Sequence, residues 1–440
     1  MATMMEALEE VIAEFHEFGV PEAKERELTL PLNVDVAVSV YGLRRTGKTH
    51  LLYLAMRKLI ENGLPIKRIF YVNFEDERLA GISARDLSTI VQLYYKHNPD
   101  ADVMYLFLDE VQVVEGWEMF VRRLLEGKRA RVFITGSSSK LLSREIATSL
   151  RGRTLGFRLF PLSFREFLTF KGFELKKPLT ERKRGILLRL LEEYIEYGGF
   201  PGIVDYSPPL KIRTLQEYLN LIVYRDLVER YGIEKVSALK ALIRILVRNF
   251  ARKVSIRKLH SLVSSTGTKI SRPTLAEYLS YLEDVGFVLP LRKYHPSDVE
   301  SLRSQPKLYI ADVGLATALG VGDTGYRIEN IVAVELLRRK HYFEPRLEVH
   351  YWEDGRGEVD FVVSLGRNVK ELIQVSYALD EPQTRERELR ALLRASKTLN
   401  CRNLTIITGE EEGVEEIDGR RIRFLPLWRW LTESDQRTPL

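Results

Sequence analysis

Cysteine is all but missing from this chain: Cys401 is the only one in 440 residues. A lone thiol makes neither an intrachain disulfide nor a cysteine-rich zinc site, and such usage fits a reducing, cytoplasmic setting. Long hydrophobic runs are missing as well, and none approaches the length of a membrane span, so no membrane partner is expected. The first residues carry Glu6, Glu9, Glu10 and Glu14 on an amphipathic helical pattern. That is not the basic-then-apolar order of a secretory signal. Nor does either sign of charge dominate: 67 basic against 61 acidic residues leave a formal +6, a mild excess whose location matters more than its size. With these classes set aside, length and apolar fraction point to a multidomain globular protein.

What is present begins with Gly42-Leu43-Arg44-Arg45-Thr46-Gly47-Lys48-Thr49, a G-x-x-x-x-G-K-T loop between an alternating apolar run (Val34 to Tyr41) and a helical run (His50 to Ile60). Strand, loop and helix are the context in which such a loop binds phosphate. Its glycines let backbone N–H groups of Arg44 to His50 close on phosphate oxygens. Lys48 is then expected to reach the β and γ phosphates, and the Thr49 hydroxyl to take a position on Mg²⁺. The loop reads phosphates and is silent about the base. No guanine-reading N-K-x-D tetrad is apparent in the sequence.

A second half-site follows in Val103 to Leu108, an apolar run that reads as a buried parallel strand ending in Asp109 and Glu110. An acid at the end of a buried strand is costly unless it has work. Asp109 is placed to hold the metal shell and Glu110 to orient and deprotonate the attacking water, the division of labour that phosphoryl transfer needs. A third strand, Arg131 to Thr135, runs into Gly136-Ser137-Ser138-Ser139. Ligands collect at the carboxyl edge of open α/β sheets, so Ser137 or Ser138 is a candidate sensor of the γ-phosphate, with an ordinary turn as the alternative. Arg144, Arg151 and Arg153 lie in a segment with few acids, where one of them is a candidate arginine finger for a neighbouring subunit, against the alternative of solvated surface arginines.

The pattern divides the chain into an N-terminal helix and linker (1–30), a P-loop core (31–160), a helical lid (161–240), a winged helix (241–299) and a C-terminal α/β region (300–440). Within the lid, Tyr197-Gly198-Gly199-Phe200-Pro201-Gly202 breaks the helical pattern. Pro201 is a candidate for the adenine face if the lid folds onto nucleotide, and otherwise marks an interhelical turn. Residues 241–295 hold most of the surplus charge, including Arg252, Lys253, Arg257, Lys258, Lys269 and Arg272. A helix at Ser255 to Leu262, a turn at Gly267, a helix at Pro273 to Val285 and a short extended pair at Phe287 to Leu291 give the order of a winged helix. Its second helix would enter the DNA major groove while the basic residues neutralise phosphates.

The last region contains Lys307 to Asp312, a helix with Glu329 and Glu335, then Glu358-Val359-Asp360-Phe361, then Glu371 to Ser376. Helix acid, strand acid and second strand resemble a PD-(D/E)XK nuclease core, in which an acid pair binds a divalent metal and a strand lysine assists water. Asp360 matches the first acid. Gln374 and Ser376 stand where the second acid and the lysine belong, so Asp360 reads as a structural or vestigial acid.

Several ordered segments carry a wider resemblance: the phosphate loop, Asp109 to Gln112 with Gly116 to Glu118, Thr135 to Ser139, Leu150 to Arg153, Pro161 to Phe164 with Glu166, Gly198 to Pro201, Tyr224 to Asp226, and Glu358 to Phe361. Together they resemble a family of prokaryotic, mainly archaeal, P-loop ATPases of the AAA+ and STAND-like type, with a winged helix and a C-terminal nuclease-like domain of unknown function. The resemblance covers nearly the whole chain. It implies an AAA+-like core, ATP or ADP with Mg²⁺ as cofactors, Pro201 as a lid contact, and Arg225 with Asp226 as a lid or interface pair. The fold expected is thus α/β, a P-loop AAA+-like core with helical lid, winged helix and α/β nuclease-like domain. The function expected is an ATPase working in a DNA-binding homo-oligomer, with a nucleotide-regulated signalling or defence switch, or an ATP-gated nuclease, as alternatives.

Overall fold

Four apolar segments of the first 160 residues form strands largely buried on both faces, the condition under which parallel strands run as continuous apolar stretches, and a fifth, more exposed strand completes the sheet at its edge. The computed structural model describes residues 3–136, 150–176, 178–377 and 382–433 and divides into two compact units, Met1–Phe160 and Pro161–Leu440. In the first unit helix α1 (Met4–Phe18) precedes β1 (Ala37–Tyr41), α2 (Lys48–Glu61), β2 (Ile69–Asn73), α3 (Leu87–His97), β3 (Met104–Asp109), α4 (Trp117–Glu126), β4 (Ala130–Thr135) and β5 (Thr154–Arg158). The strands pair in the order β2-β3-β4-β1-β5, all parallel.

Helix α1 starts at a capping box in which Thr3 and Glu6 exchange hydrogen bonds. Its stripe of Leu8, Val11 and Ile12 joins the same core as Phe70, Ile90 and Leu106. The N-terminal helix is therefore part of the sheet's packing. Because every strand points the same way, all five deliver their last residues to one edge. Asn73 pairs with Asp109, Val40 with Thr135 and Tyr41 with Arg158.

The second unit opens with helices α5 (Phe164–Phe170), α6 (Glu181–Tyr197) and α7 (Pro208–Leu221), the last running on into a π-helical stretch, Ile222–Glu229. Then come α8 (Val236–Arg248), β6 (Arg252–Lys253), α9 (Ile256–Ser265), α10 (Arg272–Asp284), β7 (Val288–Leu291), α11 (Asp298–Arg303) and β8 (Lys307–Ile310). Ser255 and Ser271 cap α9 and α10 through their side chains. The extended pair expected within Phe287 to Leu291 is instead a single strand, β7. Its partner is β8, drawn from what the sequence groups with the last region, in an antiparallel sheet of order β6-β8-β7.

Helices α12 (Gly314–Ala318) and α13 (Thr324–Tyr342) lead to β9 (Leu347–Glu353), β10 (Glu358–Leu365), β11 (Asn368–Val375), α14 (Pro382–Leu399), β12 (Leu404–Thr408), β13 (Gly413–Ile417), β14 (Arg420–Pro426) and α15 (Leu427–Thr432). The mixed sheet runs β13-β14-β12-β11-β10-β9. β10 shifts register against β9 between Val359 and Val362, an irregularity of the kind that re-aims a side chain, here next to Asp360.

Candidate nucleotide-binding site

The loop after β1 is shaped by residues that tolerate no substitute. At Gly42 (φ +147°) a Cβ would lie 2.3 Å from the Leu159 carbonyl oxygen. Gly47 takes the left-handed conformation at the N-cap of α2, and Arg45 is left-handed too, with φ 69°. The Thr46 hydroxyl donates to the Leu43 carbonyl (2.9 Å), while the buried Arg26 guanidinium donates to the carbonyls of Thr46 (2.8 Å) and Phe160 (2.9 Å). Arg26 thus ties the loop to the end of the first unit. Lys48 is buried and its ammonium donates to the carbonyls of Gly42 (3.2 Å) and Leu43 (3.3 Å), where a phosphate oxygen would offer a stronger, charged acceptor. Arg44 lies 4.0 Å from Glu75, and His50 is exposed with its ring edge-on to Tyr53.

Asp109 ends β3 at 1 % exposure. Its carboxylate accepts from the Thr135 hydroxyl of β4 and from the Tyr71 hydroxyl of β2 (3.0 Å), with Thr49 as a further hydrogen-bond partner. Burial pushes the Asp109 carboxyl up, the neighbouring Glu110 charge adds to this, and the three hydroxyls work against it. Glu110 sits in the left-handed region (φ 50°, ψ 42°), donates its N–H to Thr135 Oγ1 (3.3 Å), and accepts at its carboxylate from the Gln112 amide. Burial, and then the charge of Glu110, also raises the pKa of Glu75. One edge of one sheet therefore gathers a buried ammonium, three hydroxyls and three carboxylates. The Thr49 hydroxyl and the Asp109 carboxylate are hard oxygen donors of the kind Mg²⁺ takes alongside water and phosphate, so the residues present fit that ion.

Thr135, Tyr71, Glu75 and Arg26 are the residues that motif reading passes over. Thr135 is the polar end of an apolar strand, a signal of the same kind as Asp109. Tyr71 and Arg26 carry no local signal, because their roles depend on strand register and on a contact 134 residues away. Ser137, Ser138 and Arg144 lie outside the described residues. Arg153 pairs with Glu126 (3.0 Å), and Arg151 is exposed in the turn before β5. Both precede the strand whose far end meets Tyr41, so by strand length they stand about 16 Å from the loop.

Pro201 begins a short turn, Pro201–Ile203, in the second unit. The glycines before it are held by Asp312, whose carboxylate accepts from the N–H of Gly199 (2.7 Å) and Gly314 (2.8 Å). A Cβ on Gly198 would lie 1.7 Å from an Asp312 oxygen. This motif is thus a buried chain crossing. Arg225 pairs with Glu229 (2.9 Å) one turn on, while Asp226 is buried.

Of the basic residues singled out for nucleic acid, Arg257, Lys258, Lys269 and Arg272 are exposed. Arg252 lies over the Tyr326 ring, 4.4 Å from its centre. Lys253 departs from the expectation of a phosphate contact: it is paired with Glu353 and with Glu358 (3.0 Å), so its charge is already neutralised. Among the described residues no helix is long and apolar enough to cross a membrane.

An AAA domain model matches residues 35–168, and two domains of unknown function match 188–325 (DUF8612) and 324–430 (DUF4143). The uncharacterized protein MJ1544 of Methanocaldococcus jannaschii is 39 % identical over 413 residues, 92 % of this chain and 90 % of that one. An uncharacterized protein of Haemophilus influenzae is 31 % identical, over 90 % of this chain and 94 % of its own. A solved structure, the Walker-type ATPase PABY2304 of Pyrococcus abyssi, is 15 % identical with a TM-score of 0.44 over 72 % of this chain and 95 % of that one, too distant a likeness to bear on function. The chain belongs to the family of the M. jannaschii and H. influenzae proteins, and carries in it an AAA-type P-loop nucleotide-hydrolase domain followed by DUF8612 and DUF4143.

Proposed function

We propose that the protein is a Mg²⁺-dependent ATPase whose binding and hydrolysis of ATP drive conformational change in a DNA-binding homo-oligomer. The observation that carries this reading is the convergence of Lys48, Thr49, Asp109, Glu110 and Thr135 at one sheet edge. In it, Lys48 exchanges its two loop carbonyls for phosphate oxygens, and loop N–H groups and the α2 N-terminus hold the remaining phosphate charge. Thr49 and Asp109 hold Mg²⁺, which when bound neutralises charge on the transferred phosphoryl group. Glu110 orients the attacking water and accepts its proton, with its N–H fixed by Thr135. Thr135 reaches both acids, so it is the residue best placed to register whether the metal is held.

The oligomer and DNA parts of the reading rest on separate features. Arg151 or Arg153 is proposed to act on a neighbouring molecule's nucleotide, an arrangement supported by their place at the opposite edge of the sheet. Helices α9 and α10 with the β6-β8-β7 sheet are proposed to form a winged helix, α10 entering the major groove. The exposed Arg257, Lys258, Lys269 and Arg272 would make the phosphate contacts. The test is steady-state ATP hydrolysis with and without duplex DNA at low and moderate salt, with Lys48→Ala as blank. Stimulation that fades as salt rises is expected, since lysine and arginine contacts to phosphate release counterions.

A second reading, a nucleotide-regulated switch that turns over rarely, is favoured by one contact: Gln112 holds the Glu110 carboxylate, so the base must be released before it can work. Slow hydrolysis indifferent to DNA, and accelerated in Gln112→Ala, would select it.

A further inference from the structure

The second unit contains a lysine in an unusual setting. Lys307, on β8, is 3 % exposed. Its ammonium lies 2.7 Å from Glu329 Oε1 on α13, 2.7 Å from Glu358 Oε1 and 3.2 Å from Asp360 Oδ1 on β10. An ammonium has three hydrogens to donate, and three carboxylates receive them. The acids are themselves positioned from behind. The Tyr309 hydroxyl donates to Glu329 (2.7 Å), the Val375 N–H donates to the other Asp360 oxygen (3.0 Å), and the Asp360 N–H donates to Gln374 Oε1 (3.3 Å). The Gln374 amide in turn donates to Glu388 (2.6 Å). Burial works to lower the Lys307 pKa and is outweighed by Tyr309, Glu329, Asp360 and Glu358, which hold it well above the usual value.

We propose that Lys307 is the resident cation of a three-carboxylate cradle that would otherwise take a divalent metal, so that this α/β domain is closed to metal and works as a metal-free scaffold. Oxygens from Glu329, Glu358 and Asp360 converge on a single point, as hard divalent ions require, and a monovalent ammonium holds that point. The two cations compete for the same oxygens, so one excludes the other. The cation comes from β8 and not from Ser376, the residue just after β11, so the three-stranded sheet supplies the charge that the six-stranded sheet needs. Lys253 on β6 and Lys293 just beyond β7 extend the arrangement by pairing with Glu353 and, for Lys253, Glu358. A domain built this way has its carboxylates committed to holding two sheets together rather than to activating water.

The proposal is tested on the nucleotide-free, full-length protein with Mn²⁺ as probe, reading bound metal by the loss of the free-ion electron paramagnetic resonance signal and reading Tm with and without metal. Lys307→Met is expected to bind one Mn²⁺ at least about tenfold more tightly than the parent protein, and to gain Tm on adding it, since only the folded state binds. Lys307→Met/Asp360→Asn is expected to lose that site. A folded Lys307→Met that binds no better than the parent overturns the proposal. Should Lys307→Met not fold, the parent protein decides the matter against Asp360→Asn. Equal Mn²⁺ binding by the two supports a closed site, and binding that Asp360→Asn abolishes overturns it.

Discussion

Lys48 and Lys307 are both buried, and they differ in what surrounds them. Lys48 donates to two neutral carbonyls of its own loop, acceptors that a phosphate readily displaces because charge-assisted hydrogen bonds are roughly twice as strong. Lys307 donates to three carboxylates, and no incoming anion improves on those. On the proposed function, the same side chain serves to bind ligand where it meets loop carbonyls and as a structural cation where it meets carboxylates. Burial does not distinguish the two, since Lys48 is 6 % exposed and Lys307 3 %.

The sharpest way to break the comparison is to remove each ammonium. Lys307→Met leaves buried Asp360 and the part-buried Glu329 and Glu358 without their cation and is expected to cost about 3–5 kcal/mol of stability, as when one partner of a buried pair is deleted; urea unfolding measures it. Lys48→Met is expected to leave the fold standing while ATP hydrolysis falls about 10²–10³-fold, the effect of losing one donor to developing charge. If both variants lose stability alike, the distinction fails.

The next effect involves Asp312. Burial raises its carboxyl to about 7, against the backbone N–H bonds of Gly199 and Gly314 and the charges of Arg338 and Arg327, which lower it. Because the folded state then holds a proton that the unfolded state releases near pH 4, this carboxyl stabilises the fold at low pH. Its contribution declines as pH rises from about 4 to about 7, by an amount on the order of 4 kcal/mol. Asp312→Asn removes a backbone hydrogen bond but is expected to flatten the fall of Tm across that window. A slope unchanged from the parent protein would assign the titration elsewhere.

Gly42→Ala places a Cβ against the Leu159 carbonyl. It is expected to destabilise by about 1–3 kcal/mol, as overpacking does, and to weaken nucleotide binding with it. Its calorimetric signature separates loop geometry from the Lys48 charge. Last, Glu126→Ala removes the partner of Arg153 on the surface of the first unit. Stability should change by less than about 1 kcal/mol, in line with exposed pairs. A larger loss in thermal unfolding would give that pair a structural role.

The phosphate loop was legible because its information is local: backbone conformations that only glycine adopts, a lysine and a threonine at fixed offsets, and flanks whose periods differ. Asp109 and Glu110 were legible because acids are conspicuous at the end of a strand as apolar as Met104 to Leu108. The winged-helix pattern was read from its two helices, yet the pair expected inside Phe287 to Leu291 is closed by Lys307–Ile310, which nothing in the local sequence announces. Lys253 illustrates the same limit. Its neighbours in sequence are basic and suggest a phosphate contact, while its neighbours in space are Glu353 and Glu358.

The sequence by itself determined a phosphate-binding loop and an acid pair at the end of a buried strand, because each is set by residues close together along the chain. The tertiary structure decided that Thr135 and Tyr71 attend Asp109, that Asp312 seals the Gly198-Gly199 crossing, and that Lys307 on β8 lies among Glu329, Glu358 and Asp360. Those outcomes depend on strand order and register, which bring together groups 22 to 113 residues apart. Electrostatic partnership is fixed by distances of a few ångströms in space, a quantity that position along the chain does not carry.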